Sequence, residues 1–177
     1  MKEPKILEST VAYKCKAFDV VEEKVKLPND VTSKHITIRH PGAVVIIPEI
    51  SPGHLLLVRQ YRHSVGRMML EFPAGTLGVE EDPRVCASRE LAEETGHDAK
   101  EWVDLGTLLP APGFCNEVQY CFYARNLFSH SLPADEDEVI DTVTLTVGDV
   151  ERCIQSGELL DGKSLALFMK ARIRGLL

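Results

Sequence analysis

Apolar and polar residues alternate along this chain in short runs broken by turn-forming clusters, the period of β-strands rather than of long helices. Residues 18–27 and 31–39 read as two strands joined through Pro28-Asn29-Asp30, and residues 42–48 and 54–61 as a second pair around Ser51-Pro52-Gly53. Residues 68–72 form a shorter strand, and 102–108, 118–127 and 139–147 carry further strand patterns. Helical spacing is found at 83–95, at 150–156 with Asp149 as N-cap, and at 163–174. Strands and helices do not alternate regularly, so the pattern predicts an α+β or sandwich architecture rather than a doubly wound parallel sheet.

At 177 residues and 44% hydrophobic content, the chain suits one domain with a sizeable core. Its net charge of −7 offers no basic field to nucleic acid or to a membrane surface. An acidic protein that handles an anionic substrate needs metal ions between the two. No segment approaches the roughly 18–20 apolar residues of a membrane helix, and the longest apolar run, 43–47, is strand-sized. The opening MKEPKILEST has early acidic residues and no apolar signal core, so a cytoplasmic location is expected. The five cysteines lack C-x-x-C spacing and are expected to be reduced packing residues. The histidines show no zinc-type spacing.

Residues 75–96, GTLGVEEDPRVCASRELAEETG, gather Glu81, Glu90, Glu93 and Glu94 around one short helix. Asp82 suits the N-cap, Pro83 the first helical position and Gly96 the C-terminal stop. At about 100° of rotation per residue, Glu90, Glu93 and Glu94 share one arc of about 100°. Cys86 and Ala87 sit one turn earlier on the same side, small enough to leave room for a ligand. Val85, Ser88, Leu91 and Ala92 lie opposite, where they can pack on a sheet. Arg89 stands four residues before Glu93 and can reach back to Glu81. Carboxylates this close repel by several tenths of a kcal/mol per pair, so the cluster implies a cation. Hard oxygen donors suit Mg²⁺ or Mn²⁺ bridging to substrate phosphates. A merely solvated acidic face is the plainer alternative; the fixed glycines, Arg89 and the spacing to Glu81 weigh against it.

The pattern Gly-x5-Glu-x7-Arg-Glu-Leu-x-Glu-Glu-x-Gly, from Gly75 to Gly96, resembles the signature box of the Nudix hydrolases, which cleave nucleoside diphosphates linked to another group. The resemblance implies an α/β/α sandwich with a mixed sheet over residues 41–177, preceded by an antiparallel strand pair in residues 1–40. It implies Mg²⁺ as cofactor, with Mn²⁺ as substitute, held by Glu90, Glu94 and the backbone carbonyl of Ala74, with Glu93 assisting catalysis. Glu81 and Arg89 resemble the pair that orients the box. His97 departs from the family's usual aliphatic residue and is expected to affect packing only.

The flanks resemble the ADP-ribose and nucleotide-sugar pyrophosphatase branch. In LLLVRQYRHSVGRMMLEFPAG, Arg62 resembles a phosphate clamp and Glu71 a hydrogen-bonding partner of the nucleobase. An exposed surface arginine and an unrelated carboxylate are the plainer alternatives. Downstream, LPAPGFCNE resembles that branch's Ser-Pro-Gly-Phe-x-x-Glu loop. Pro112 fills the place of the proline that marks ADP-ribose hydrolases, with Phe114 against a base or sugar and Glu117 near a metal-bound water or ribose hydroxyl. Phe114 reads equally well as a core residue. The acidic run 134–138 resembles the loop that supplies the general base, with Glu138 first and Glu136 second; a solvated loop is the alternative.

The implied reaction is hydrolysis of ADP-ribose, or of another nucleoside diphosphate sugar with a different base, to a nucleoside monophosphate and a sugar phosphate. The branch also implies a homodimer built through the N-terminal arm. A Ser or Cys nucleophilic hydrolase is excluded for want of a nucleophile elbow or a partner for Cys115. A sugar-nucleotide sensor without catalysis is the rival from another class; such proteins lose box carboxylates, and here all are present.

Overall fold

The computed structural model describes residues 3–133 and 139–177. Glu136 and Glu138 therefore lie outside the described residues. The chain divides into two compact units, Met1–Gly42 with Leu109–Val118, and Ala43–Leu108 with Gln119–Leu177.

The first unit is an antiparallel sheet of three strands in the order β1 (Lys5–Lys14), β2 (Asp19–Lys26) and β3 (Thr32–Arg39). The pattern predicts β2 and β3 but not β1. Every residue of β1 is exposed, so no buried face imprints a period of two, and the ladder to β2 alone makes it a strand. The β2–β3 turn closes where predicted, through Leu27 N to Val31 O at 2.8 Å, with Asp30 at a φ of 67°, a conformation that aspartate tolerates. Residues 109–118 fold against the edge of β3. Ile38 N donates to Phe114 O at 2.8 Å, Asn116 N to Ile38 O at 3.1 Å, and His40 N to Asn116 Oδ1 at 2.8 Å.

The second unit is a mixed sheet with helices on both faces. Its strands are β4 (Ala43–Ser51), β5 (His54–Arg62), β6 (Arg67–Glu71), β7 (Ala74–Thr76), β8 (His97–Leu108), β9 (Gln119–Ser129) and β10 (Ile140–Thr146). The order is β10-β5-β4-β9-β8, with β6 on β5 and β7 on β4. Among the described residues of this sheet, only β4 and β9 run parallel. Both are covered on two sides, which is why they read as near-continuous apolar runs. Val45, Ile47, Cys121 and Tyr123 point to the face covered by helices α2 (Val147–Ser156) and α3 (Gly162–Ile173). Val44, Ile46, Phe122 and Ala124 point to the face covered by α1 (Pro83–Thr95).

The start of α2 corrects one prediction. Its N-cap is Thr146, and Asp149 is the third residue of a capping box: Asp149 N donates to Thr146 Oγ1 and Thr146 N to the Asp149 carboxylate, each at 3.1 Å. The helix begins three residues earlier than the pattern suggests because Val147 reads as the end of the 139–147 strand.

The sheet splits where the site is built. Strands β4 and β5 pair only near their hairpin, at Glu49–Leu55 and Ser51–His54. Beyond it, β4 takes β7 as partner and β5 takes β6. Ile46 N donates to Pro73 O at 2.9 Å and keeps the β6–β7 crossing against β4. Helix α1 then packs over β4 and β7 through Leu91, Cys86 and Ala87, all fully buried. Leu91→Ala is expected to cost about 2–5 kcal/mol, read as a lower urea midpoint with an unchanged slope.

Candidate functional site

Helix α1 is framed as its sequence predicts. The Asp82 carboxylate accepts from the Arg84 and Val85 backbone N–H groups at 2.9 and 3.2 Å, Pro83 opens the helix, and Gly96 closes it at a φ of 71°. His97, just beyond, donates from Nδ1 to Thr95 O at 2.7 Å and thereby belongs to the turn.

The wheel correctly groups the glutamates but misassigns their neighbours. Cys86 and Ala87 are fully buried among Val44, Ile46 and Phe122, so they fill the core rather than leave space for a ligand, while Val85 is exposed. The acidic arc itself faces protein, because β7 lies alongside it. Burial also pushes the Cys86 thiol up to about 12, too high for a nucleophile.

Arg89 is the hub of this arc. Its Nε and Nη2 donate to the two oxygens of Glu81, each at 2.9 Å; its Nη1 donates to Glu90 Oε1 at 2.7 Å and Glu93 Oε2 at 2.8 Å. Nη2 also reaches Thr76 O at 3.3 Å, on β7. A planar fork with fixed donors suits several carboxylates at once. These bonds push the Arg89 pKa up, and the Arg89 hydrogen bond chiefly lowers Glu81 from 4.5 to about 2.

Two contacts seat β7 on the helix. Ala74 N donates to Glu94 Oε2 at 3.0 Å, with Glu94 only 7% exposed. Gly75 lies so close to Glu90 that an added Cβ would fall 1.8 Å from the Glu90 carboxyl carbon. The glycine is required by this approach, not by its backbone angles.

Arg62 and Glu71, read separately from the sequence, are bonded to each other. Arg62 Nε and Nη2 donate to Glu71 Oε1 and Oε2 at 2.9 and 2.7 Å, and Lys163 also donates to Oε2. Lys163 in turn lies 3.0 Å from Asp161 Oδ2. Burial raises the pKa of Glu71, but Arg62 and Lys163 outweigh it and hold the group below the ordinary carboxylate range. Arg62 also feels the fields of Glu94 and Asp161, which ties the cluster electrostatically to the box. Next to it, Ser164 Oγ accepts from Phe72 N at 2.8 Å. The sequence gives no sign of Lys163 and Ser164, since both meet partners 92 residues away.

Phe114 and Glu117 belong to the other unit, on the 109–118 segment; Phe114 is 59% exposed, which rules out its reading as a core residue. Beside α1, a shallow concavity is lined by Arg84, Val85, Ser88, Arg89, His130 and Leu132. Its polar groups already serve other partners: Ser88 bonds Asp98 at 2.7 Å, and Arg84 stacks 3.7 Å over Trp102.

Among the described residues, no three acidic, histidine or cysteine side chains form a ready-made metal cage. Mg²⁺ does not need one, because it keeps several waters and binds through one or two carboxylates plus substrate phosphates. The donor chemistry fits such an ion: hard carboxylate oxygens of Glu90 and Glu94, brought to the Ala74-Gly75 backbone by the missing Cβ of Gly75.

The NUDIX domain model matches residues 39–163, which include the carboxylate box, Arg62, Glu71 and Lys163. The chain belongs to the Nudix family. Over 92% of its length it is 34% identical to an ADP-ribose pyrophosphatase of Bacillus subtilis, covering 89% of that protein. It is equally similar, at 34% over 92% of the chain and 89% of the relative, to a methanol dehydrogenase activator of Bacillus methanolicus. A GDP-mannose pyrophosphatase of Yersinia enterocolitica is 29% identical over 90% of the chain and 87% of that protein. The crystal structure of an ADP compounds hydrolase shares the Nudix fold, with a TM-score of 0.86 over 97% of this chain and 94% of that one, at 23% identity. Nudix hydrolases generally use divalent metals, in keeping with the oxygen donors of this box.

The Glu81 shift sets a pH window. Its folded pKa is depressed, so its contribution to stability is complete above about 4.5 and is lost as pH falls toward about 2. Glu81→Gln should therefore cost about 1–3 kcal/mol near neutrality. Urea unfolding over a pH series should show the gap to wild type closing between 4.5 and 2. A gap that stays constant across that range would falsify the assignment.

Proposed function

We propose that this Nudix chain is a Mg²⁺-dependent pyrophosphatase that cleaves the diphosphate of ADP-ribose, or of a related nucleoside diphosphate sugar, into a nucleoside monophosphate and a sugar phosphate. The observation that carries the proposal is the complete carboxylate box, clamped to β7 through Arg89, Gly75 and the Ala74–Glu94 bond. The relatives named as ADP-ribose and GDP-mannose pyrophosphatases support the substrate class.

In this proposal Glu90, Glu94 and the Ala74 carbonyl hold the ion, which supplies Lewis acidity and lowers the pKa of water. Glu93 assists from the same arc. Arg62 grips a substrate phosphate and Glu71 faces the nucleobase end. Phe114 and Glu117 recognise base or ribose. Glu138, proposed from its place in the sequence alone, takes the proton from the attacking water.

We further propose a homodimer in the cytoplasm. Strand β1 is an edge strand with Ile6, Val11 and Tyr13 each more than half exposed, a surface that a second copy would cover. The cysteines among the described residues are all unpaired, in keeping with a reducing compartment. No helix among the described residues is long and apolar enough to cross a membrane.

Product analysis of a nucleotide-sugar panel with Mg²⁺ in ¹⁸O-labelled water tests the reaction: both phosphorylated products should form, with label in one, and chelation should abolish turnover. Glu138→Gln should lower kcat by orders of magnitude while leaving substrate affinity nearly intact; near-normal kcat would remove Glu138 as base. Light scattering at assay concentration should give twice the chain mass, and a clean monomer would end the dimer proposal.

A further inference from the structure

Glu71 is only 2% exposed, yet it is charged and bound by two cations of unlike accessibility. The Arg62 side chain is 39% exposed and the Lys163 side chain 13%. Arg62 occupies both carboxylate oxygens from the open side. Lys163 reaches one of them from the first turn of α3, where Asp161 holds it in place. Asp161 is itself fixed as the N-cap of α3, accepting from Ser164 N at 3.0 Å and Ser164 Oγ at 2.6 Å. The inner cation is thus built into the fold, and the outer one hangs from the end of a strand.

We propose that Lys163 is a positioning residue: its ammonium keeps Glu71 ion-paired when the Arg62 guanidinium leaves that carboxylate for a substrate phosphate. The proposal rests on the reading of Arg62 as the phosphate clamp. A buried carboxylate stripped of every partner is strongly unfavourable. Among the described residues, the side-chain hydrogen bonds of Arg62 go to Glu71, and with no second cation behind that carboxylate Arg62 would be locked in place. Lys163 removes that lock, so a usable fraction of the protein presents a free guanidinium to the ligand. Apparent affinity falls in proportion to that competent fraction. Losing Lys163 should therefore weaken ground-state binding without touching the chemical step.

The test uses the whole chain, with ADP titrated calorimetrically in Mg²⁺ and ADP-ribose hydrolysis followed in parallel. Lys163→Met should raise the Kd for ADP and the KM for ADP-ribose about 10-fold or more, with kcat within about threefold of wild type. Lys163→Arg should restore binding to within about threefold. In a Glu71→Gln background no carboxylate needs the second cation, so Lys163→Met should change Kd by less than about twofold. An unchanged Kd in Lys163→Met, a loss confined to kcat, or a full loss persisting beside Glu71→Gln overturns the proposal. Should Lys163→Met fail to fold, a structure of the wild type with ADP and Mg²⁺ decides. Arg62 on phosphate with Lys163 still on Glu71 supports it, and Arg62 still bidentate on Glu71 overturns it. ADP-ribose left intact by the wild type would refute ADP-ribose as the substrate and nothing about Lys163, because the ADP titration still reads out Lys163.

Discussion

Arg89 turns every edge of its guanidinium onto the acidic residues around it, Nε and Nη2 to Glu81 and Nη1 to Glu90 and Glu93, with a further bond to the backbone of β7. Without that charge, three carboxylates on one turn and its lead-in loop would drive each other apart. With it, the loop 77–82, the helix and β7 become one object. The arginine also sets the direction of the carboxylates, which the proposed metal platform needs as much as their number. Glu94 and Gly75 complete the seating, one by accepting the Ala74 N–H and the other by having no Cβ to strike Glu90.

The platform's position depends in turn on an element far away in sequence. The first turn of α3 grips the end of β6 twice, through Lys163 on the Glu71 side chain and through Ser164 on the Phe72 backbone. Two residues later the chain reaches Ala74. The split between β4 and β5 makes room for this crossing, and the bond from Ile46 N to Pro73 O closes it. Burying three charges at the grip, those of Glu71, Asp161 and Lys163, gives little stability for its own sake. It fixes where β6 ends and where a half-exposed guanidinium stands.

Local signals were legible where partners lie within a few residues. Asp82, Pro83 and Gly96 framed α1, and Arg89 had Glu81 and Glu93 within reach of one side chain. Strand β1 left no trace because none of its residues is buried, so nothing selects an alternating pattern there. The N-terminus of α2 is hidden in the sequence because Asp149, a good N-cap by itself, serves in the reciprocal capping box of Thr146. The wheel of α1 gave angles but not surroundings. It did not reveal that β7 lies along the acidic arc, that β4 and β9 bury Cys86 and Ala87, or that Val85 is left in solvent.

The sequence by itself determined the family, the spacing of the box and its frame, because each is a matter of residues close together between Gly75 and Gly96. Only the tertiary structure decided what the carboxylates face, that Arg62 and Glu71 are partners, and that Lys163 completes them. Those facts rest on contacts across 9 to 92 residues. Such contacts are set by how strands register and helices dock, and no local period along the chain encodes them.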